Sequence, residues 1–181
     1  MQSEITLSGS RTPGKRAGKY LIFQLGHEEF GIPVQQAREI LSLREITAVP
    51  NTPEHIRGVI NLRGKIVPLV DLRLKFEMPA TISSAHSCIV VVQVQREGES
   101  MQIGMIVDSV LEVANLLASE VEDAPDFGEQ VATPWLLGIA RKKNGISILL
   151  HVDQVLGVGQ TNLGSGLAVL NESTSRMASS L

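Results

Sequence analysis

Phe30-Gly31-Ile32-Pro33-Val34-Gln35-Gln36-Ala37-Arg38-Glu39-Ile40 recurs in kind as Ile103-Gly104-Met105-Ile106-Val107-Asp108-Ser109-Val110-Leu111-Glu112-Val113. The shift is 104 − 31 = 73, and one pattern, apolar-Gly-apolar-x-Val-x-x-apolar-x-Glu-apolar, holds through both without a gap. Further along, Gly58-Val59 matches Gly138-Ile139, and Ile66, Leu69, Val70 and Leu72 match Ile146, Leu149, Leu150 and Val152, at a shift of 138 − 58 = 80. The extra 80 − 73 = 7 residues fall in the acidic stretch Ser119–Thr133. Glycines and a glutamate repeated at consistent shifts read as two tandem copies of one β-unit. Each copy, about 70 residues long, buries too little surface to be comfortable alone. Two small barrels packed face to face solve that problem and leave a groove between them.

Working outward from the repeat, the segments are short, β-branched and separated by turn residues about every 8–12 positions, the rhythm of a barrel or sandwich. Tyr20–Leu25 alternates, Gly26-His27-Glu28-Glu29 turns the chain, and Phe30–Val34 returns. Gln35–Leu41 loses the alternation and predicts a helical turn or bend. Thr52-Pro53-Glu54 predicts a one-turn helix with Thr52 as N-cap and Pro53 at the first position. Val59–Leu62 and Ile66–Leu72 form a hairpin around Gly64-Lys65, and Pro68 puts its strand at an edge or a bulge. Cys88–Val94 opens as a continuous apolar run, a strand buried on both faces. Arg96–Ser100 is its loop and Met101–Val107 its return. Leu136–Ala140 and Ile146–Leu150 make the last hairpin, around Lys143-Asn144-Gly145. Residues 1–18 and 158–181 lack this patterning and are expected as flexible tails. The ordered part is then 19–157, with one barrel over about 19–82 and the other over about 83–157.

Composition narrows the function. Hydrophobic residues are 43% and charged residues 19% of the 181, which supplies a core and excludes wholesale disorder. No apolar run approaches the ~20 residues of a membrane helix, and the first residues lack the apolar segment of a secretory signal. A lone Cys88 makes neither an internal disulfide nor a thiolate zinc cage and fits a reducing, cytoplasmic setting. Aromatic residues are 3%, too few for a base-stacking platform, and a net charge of −3 argues against general nucleic-acid binding. Charge is uneven. Five basic residues and one acid occupy Arg57–Lys75, whereas six acids and no Lys or Arg occupy Glu112–Ala140. These are either solvated faces or two poles that orient partners.

The sequence carries no complete catalytic motif. Arg57–Ile66 imitates a phosphate loop, but Gly58 to Gly64 is one residue too long and Ile66 stands where Ser or Thr must bind magnesium. Gly157-Val158-Gly159 begins a dinucleotide fingerprint that Asn162 breaks. His27, His55, His86 and His151 stand singly, without metal-ligand spacing. No Gly-x-Ser-x-Gly elbow exists and no histidine is placed to activate Cys88. Asp71 and Asp153, at strand ends, predict caps for the turns that follow. An enzyme reading therefore lacks a nucleophile, a base and a cofactor or metal site. What remains is surface. Asn61-Leu62-Arg63-Gly64 puts an arginine on a tight hairpin, and Glu39 approaches it if the barrel closes. Exposed ion pairs add little stability, so the pair is either an ordinary surface contact or a device for docking specificity.

The run Val49–Phe76, VPNTPEHIRGVINLRGKIVPLVDLRLKF, resembles the signature of the CheW-like domain family, the adaptors of bacterial chemotaxis. FQLGHEEFGIPVQQAREIL before it, IGMIVDSVLEV after it, Ala124-Pro125-Asp126-Phe127, and LLGIARKKNGISILLHVDQVL near the end resemble the family too, so the likeness covers about residues 19–157. It implies a mainly β fold of two five-stranded SH3-like barrels around a shared hydrophobic core, with short helical turns. It also implies a non-catalytic adaptor, without cofactor or metal. That adaptor links the cytoplasmic tips of chemoreceptors to the regulatory domain of the histidine kinase CheA and is recruited to receptor arrays. By position, Glu39, Gly58 and Arg63 fall on the family's receptor-facing coupling surface. Val110 and Val113 fall along the groove that takes the receptor tip. Ile32 and Val34 fall near the kinase-facing part of the first barrel, and Phe127 where an aromatic closes rings with other CheW-like domains. Three features depart from the family: Ala37 where a larger aliphatic is common, a longer Arg96–Ser100 hairpin, and a tail beyond Gly159 without counterpart. Two further readings stand beside this one: an adaptor of a pilus-motility or second-messenger pathway, and an enzyme with an unrecognised site in the inter-barrel groove.

Overall fold

Side-chain alternation decides which core each strand feeds, because successive residues of a strand point to opposite faces. The computed structural model describes residues 16–79, 82–128 and 133–157; the expected tails lie almost wholly outside them. Its strands are β1 (Gly18–Leu25), β2 (Glu28–Pro33), β3 (Ala37–Ser42), β4 (Ile56–Leu62), β5 (Lys65–Asp71), β6 (Cys88–Arg96), β7 (Glu99–Val107), β8 (Ser109–Leu116), β9 (Val121–Glu122), β10 (Leu136–Lys142) and β11 (Gly145–Leu150). Two one-turn helices, α1 (Leu72–Lys75) and α2 (Val152–Val155), follow β5 and β11. Strand β1 sends Tyr20 and Ile22 into one core and Leu21, Phe23 and Leu25 into another. Strand β6 likewise divides Ile89 and Val91 from Cys88, Val90, Val92 and Val94. Both faces of each are buried, as the apolar run Cys88–Val94 predicts. The result is three cores: one inside each barrel and a larger one shared between them. Each buried aliphatic side chain stabilises the fold by about 1.5–3 kcal/mol.

The strands form two sheets, ordered β8-β1-β2-β11-β10-β9 and β3-β6-β7-β5-β4. The repeat matches β1 to β5 with β6, β7, β8, β10 and β11. Read through that correspondence, the order of the second sheet becomes β8-β1-β2-β11-β10, which is the first sheet. The copies have therefore exchanged hairpins: β1–β2 completes the sheet of β8, β10 and β11, and β6–β7 completes that of β3, β4 and β5. The expected mainly β, two-barrel architecture stands, but a division near residue 82 does not separate the barrels, since each sheet draws strands from both sides of it. One sheet also has six strands rather than five, because the two-residue β9 adds to β10.

The matched glycines explain why the copies fold alike. In the parallel pairs, Gly31 lies opposite Leu149 and Gly104 opposite Leu69. A Cβ on Gly31 would stand 2.9 Å from both Ile22 and Leu149; on Gly104 it would stand 2.3 Å from Leu69 and 2.8 Å from Ile89. Each glycine makes room for an isoleucine and a leucine inside its own barrel. Gly58 and Gly138 sit at equivalent register shifts, where a Cβ would meet the backbone oxygens of Thr47 at 2.1 Å and Glu122 at 2.7 Å. Each glycine thus admits a crossing segment, Thr47 in its bridge to Val59 and β9 at Glu122.

Several local expectations are corrected. At the expected bend, Val34–Gln36 forms a 3-10 turn, but Ala37–Ser42 is strand β3, because pairing with β6 overrides its weak alternation. No helix starts at Thr52, whose hydroxyl donates to the Val49 carbonyl at 3.0 Å instead of capping. Asp71 does cap α1, accepting from the N–H groups of Arg73 and Leu74. Asp153 lies inside α2 and faces Gln36 and Gln95. The last hairpin turns on Lys143-Asn144, with Gly145 already paired to Lys142. Pro68 lies in the half of β5 that pairs with β4 alone, since β7 begins to pair only at Leu69. Its strand is interior, and only that half has a free side.

Candidate functional site

Leu62 pairs with Lys65, so Arg63 and Gly64 are the two central residues of the β4–β5 hairpin. Both have positive φ, 52° and 84°, the mirror-image turn whose twist matches that of the flanking strands. The Gly64 N–H donates to Asn61 Oδ1 at 2.9 Å, which locks the tip. Arg63 is 72% exposed there and grips Glu39 with both terminal nitrogens, one of them 3.3 Å from Oε2. β3 and β4 are the two edges of their sheet, so this pair spans the closure of the barrel, as the sequence suggested. The hydrogen bond to Glu39, then its charge, raises the Arg63 pKa.

Gly58 offers no side chain and is buried beneath the Ile46–Thr47 segment. Val110 and Val113 lie on β8, an edge of the six-stranded sheet. Phe23 pairs with Val110 and Ile22 with Glu112, which leaves Leu111 bulged between them. Val110 packs on the shared core, whereas Val113, opposite Leu21, is 55% exposed. The strand thus carries an aliphatic strip from the shared core out to solvent. Ile40 is the repeat partner of Val113, and it too is half exposed on an edge strand, opposite Val90. No motif in the sequence marks Ile40, and only the shift of 73 points to it.

Ile32 is not on the surface. Its exposure is 0%, because alternation along β2 sends Phe30 and Ile32 together into the shared core. Val34, two residues on, is half-buried in the 3-10 turn. Phe23, Phe30, Phe76 and Trp135 form a continuous series of ring contacts 5.4–6.1 Å apart. Phe127 stands outside it and is 53% exposed.

The acidic stretch is no bare pole. Glu122 pairs with Arg141, Asp123 with Arg16, and Glu112 with Lys142. Glu112, the repeat partner of Glu39, accepts from Lys142 Nζ at 3.0 Å; Lys142 also donates to Glu29 at 2.8 Å, and the Ser147 hydroxyl donates to Glu29 at 2.9 Å. The bond to Lys142 holds the Glu29 carboxyl below its ordinary range. Burial opposes the charge on Lys142, but its bonds to Glu29 and Glu112 outweigh that and raise its pKa. Burial raises the Cys88 thiol, so it behaves as a small apolar side chain rather than a nucleophile. Among the described residues, no three His, Cys, Asp or Glu side chains gather as a metal site, and no helix is long and apolar enough to cross a membrane. A cavity at the seam is lined by Arg73 and Asp108, which are bonded to each other, beside Gly26, His27 and Met78. The site thus offers an exposed, fixed ion pair and exposed aliphatic edges, which is the chemistry of docking.

The family model described as the CheW-like domain matches residues 19–160. The chemotaxis protein CheW of Klebsiella aerogenes is 34% identical over 167 residues, covering 90% of this chain and 98% of its own. That of Rhizobium meliloti is 29% identical over 139 residues, covering 76% and 87%. A crystal structure of the scaffolding protein TtCheW from Thermoanaerobacter tengcongensis superposes with a TM-score of 0.69 at 31% identity, covering 79% of this chain and 94% of that one.

Proposed function

The chain belongs to the CheW-like domain family, and from that membership we propose that it is a non-catalytic chemotaxis scaffold that couples chemoreceptor tips to the regulatory domain of the histidine kinase CheA. The observation that carries the reading is the Arg63–Glu39 pair, fixed on a strained hairpin tip yet open to solvent. A receptor tip is a helical hairpin, so an apolar stripe on it can lie along the aliphatic edge of Val110 and Val113. Arg63 and Glu39 set its register, and Gly58 keeps the backbone beneath in place. Val34 lies on the kinase-facing side. Phe127 is the contact to neighbouring CheW-like domains. Each contact is weak alone and is multiplied by effective concentration in an array, in the cytoplasm beneath the receptor-bearing membrane.

The test is a reconstituted receptor–kinase assembly containing Arg63→Glu. This variant is expected to fold with an unchanged unfolding midpoint and to lose receptor control of the kinase. Normal kinase activation by the variant would overturn the reading.

A further inference from the structure

We propose that Arg73 and Asp108 are positioning residues for β8: they clasp the seam between the barrels and so fix where Val110 and Val113 are presented. This rests on the docking role proposed for β8. Asp108 is the single residue between β7 and β8, where the chain leaves one sheet for the other. Its N–H donates to the Gln24 carbonyl at 3.0 Å, and its carboxylate accepts from the Gly26 N–H at 2.7 Å, both at the β1–β2 turn. The same carboxylate oxygen accepts from Arg73, on α1. Arg73 is only 9% exposed, and a cation buried to that degree demands compensation. Its Nε and Nη2 donate to the Pro79 carbonyl at 3.1 and 2.8 Å. One carboxylate therefore ties together a helix from the first barrel, the crossover, and a turn from the second.

The other crossover provides an internal control. The repeat partner of Arg73 is Asp153 on α2, since 153 − 73 = 80. Asp153 accepts from Gln36 Nε2 at 3.2 Å, in the turn between β2 and β3, and from the Gln95 N–H at 3.3 Å. The plan is the same, a helix, a crossover and a strand of the opposite hairpin, but its partners there are neutral and its contacts longer. A carboxylate bonded to a guanidinium gains the attraction of an opposite charge, which neutral amide donors do not supply. The charged clasp stands at the crossover that leads into β8, with Val110 two residues beyond it.

The test compares amide hydrogen exchange and partner affinity in the full chain for wild type, Asp108→Asn, Arg73→Lys and Asp153→Asn. Asp108→Asn is expected to speed exchange across residues 109–113 by about tenfold while β6 and β7 stay protected. It is also expected to weaken binding of a soluble receptor-tip hairpin by about tenfold, with binding of the kinase regulatory domain changed less than about twofold. Arg73→Lys keeps the charge but loses the fork, and is expected to lie between the two; it carries the test if Asp108→Asn does not fold. Asp153→Asn is expected to leave β8 unchanged. Uniform acceleration of exchange, no acceleration, or an equal effect of Asp153→Asn on β8 would each overturn the proposal. If the wild type itself does not bind the receptor hairpin, the docking reading fails and the exchange data alone decide on the clasp.

Discussion

Gly58 and Ile32, both in the first copy of the repeat, matter through backbone fit and through core packing. At Gly58, φ is 137° and a Cβ would lie 2.1 Å from the Thr47 oxygen, a backbone contact that no side-chain rotation relieves. Gly58→Ala is expected to cost about 2–3 kcal/mol, read as a lower urea midpoint. Any loss of coupling should follow that displacement of Thr47 rather than a lost surface contact. Ile32 is wholly buried. Ile32→Ala is expected to cost about 2–5 kcal/mol through the cavity it leaves, while kinase binding by the folded fraction stays intact. Titration of the kinase regulatory domain at a temperature where the variant is folded checks this. Weakened binding there would put Ile32 back among the contacts.

At the scale of elements, Lys142 on β10 holds β2 through Glu29 and β8 through Glu112, closing the second barrel as Arg63–Glu39 closes the first. The Glu29 carboxyl is depressed in the folded state, so its ionised form contributes stability that is complete above its ordinary value of 4.5 and is lost as pH falls through the folded value. Lys142→Met removes that linkage. The variant is expected to be less stable than wild type at pH 7 and to lose less stability as pH drops below 4.5. Urea unfolding at a series of pH values measures both, and parallel acid limbs would contradict the assignment. The ion pair at the other hairpin was legible because its turn chemistry is local. Lys142 was not, because the repeat partner of Arg63 is its neighbour Lys143 (143 − 63 = 80) and one of its two acids, Glu29, lies 113 positions away.

For the whole molecule, the exchanged hairpins make the halves interdependent. Residues 19–82 alone leave β1–β2 without β8 and β11, and residues 83–157 alone leave β6–β7 without β3 and β5. Unpaired edges of that kind invite aggregation. Neither half is expected to give a folded far-UV spectrum or dispersed amide resonances, whereas mixing them should restore both. A stable fold for either half by itself would show that the exchange is dispensable.

Most strand positions, the hairpin tips, the double-faced burial of Cys88–Val94 and the repeat are determined by the chain locally, because alternation, glycine and turn chemistry act over a few residues; β3 is a strand only because β6 pairs with it. The meeting of Arg63 with Glu39 followed from the same logic once the barrel closed. Which sheet receives which hairpin was decided only in three dimensions. Both hairpins carry the same glycine and the same apolar spacing, so pattern alone does not tell them apart. Asp108, a one-residue link, is too short to fold β8 back beside β7, so the chain runs on into the opposite sheet. That crossing brings Asp108 to Arg73 and leaves Val113 at an open edge.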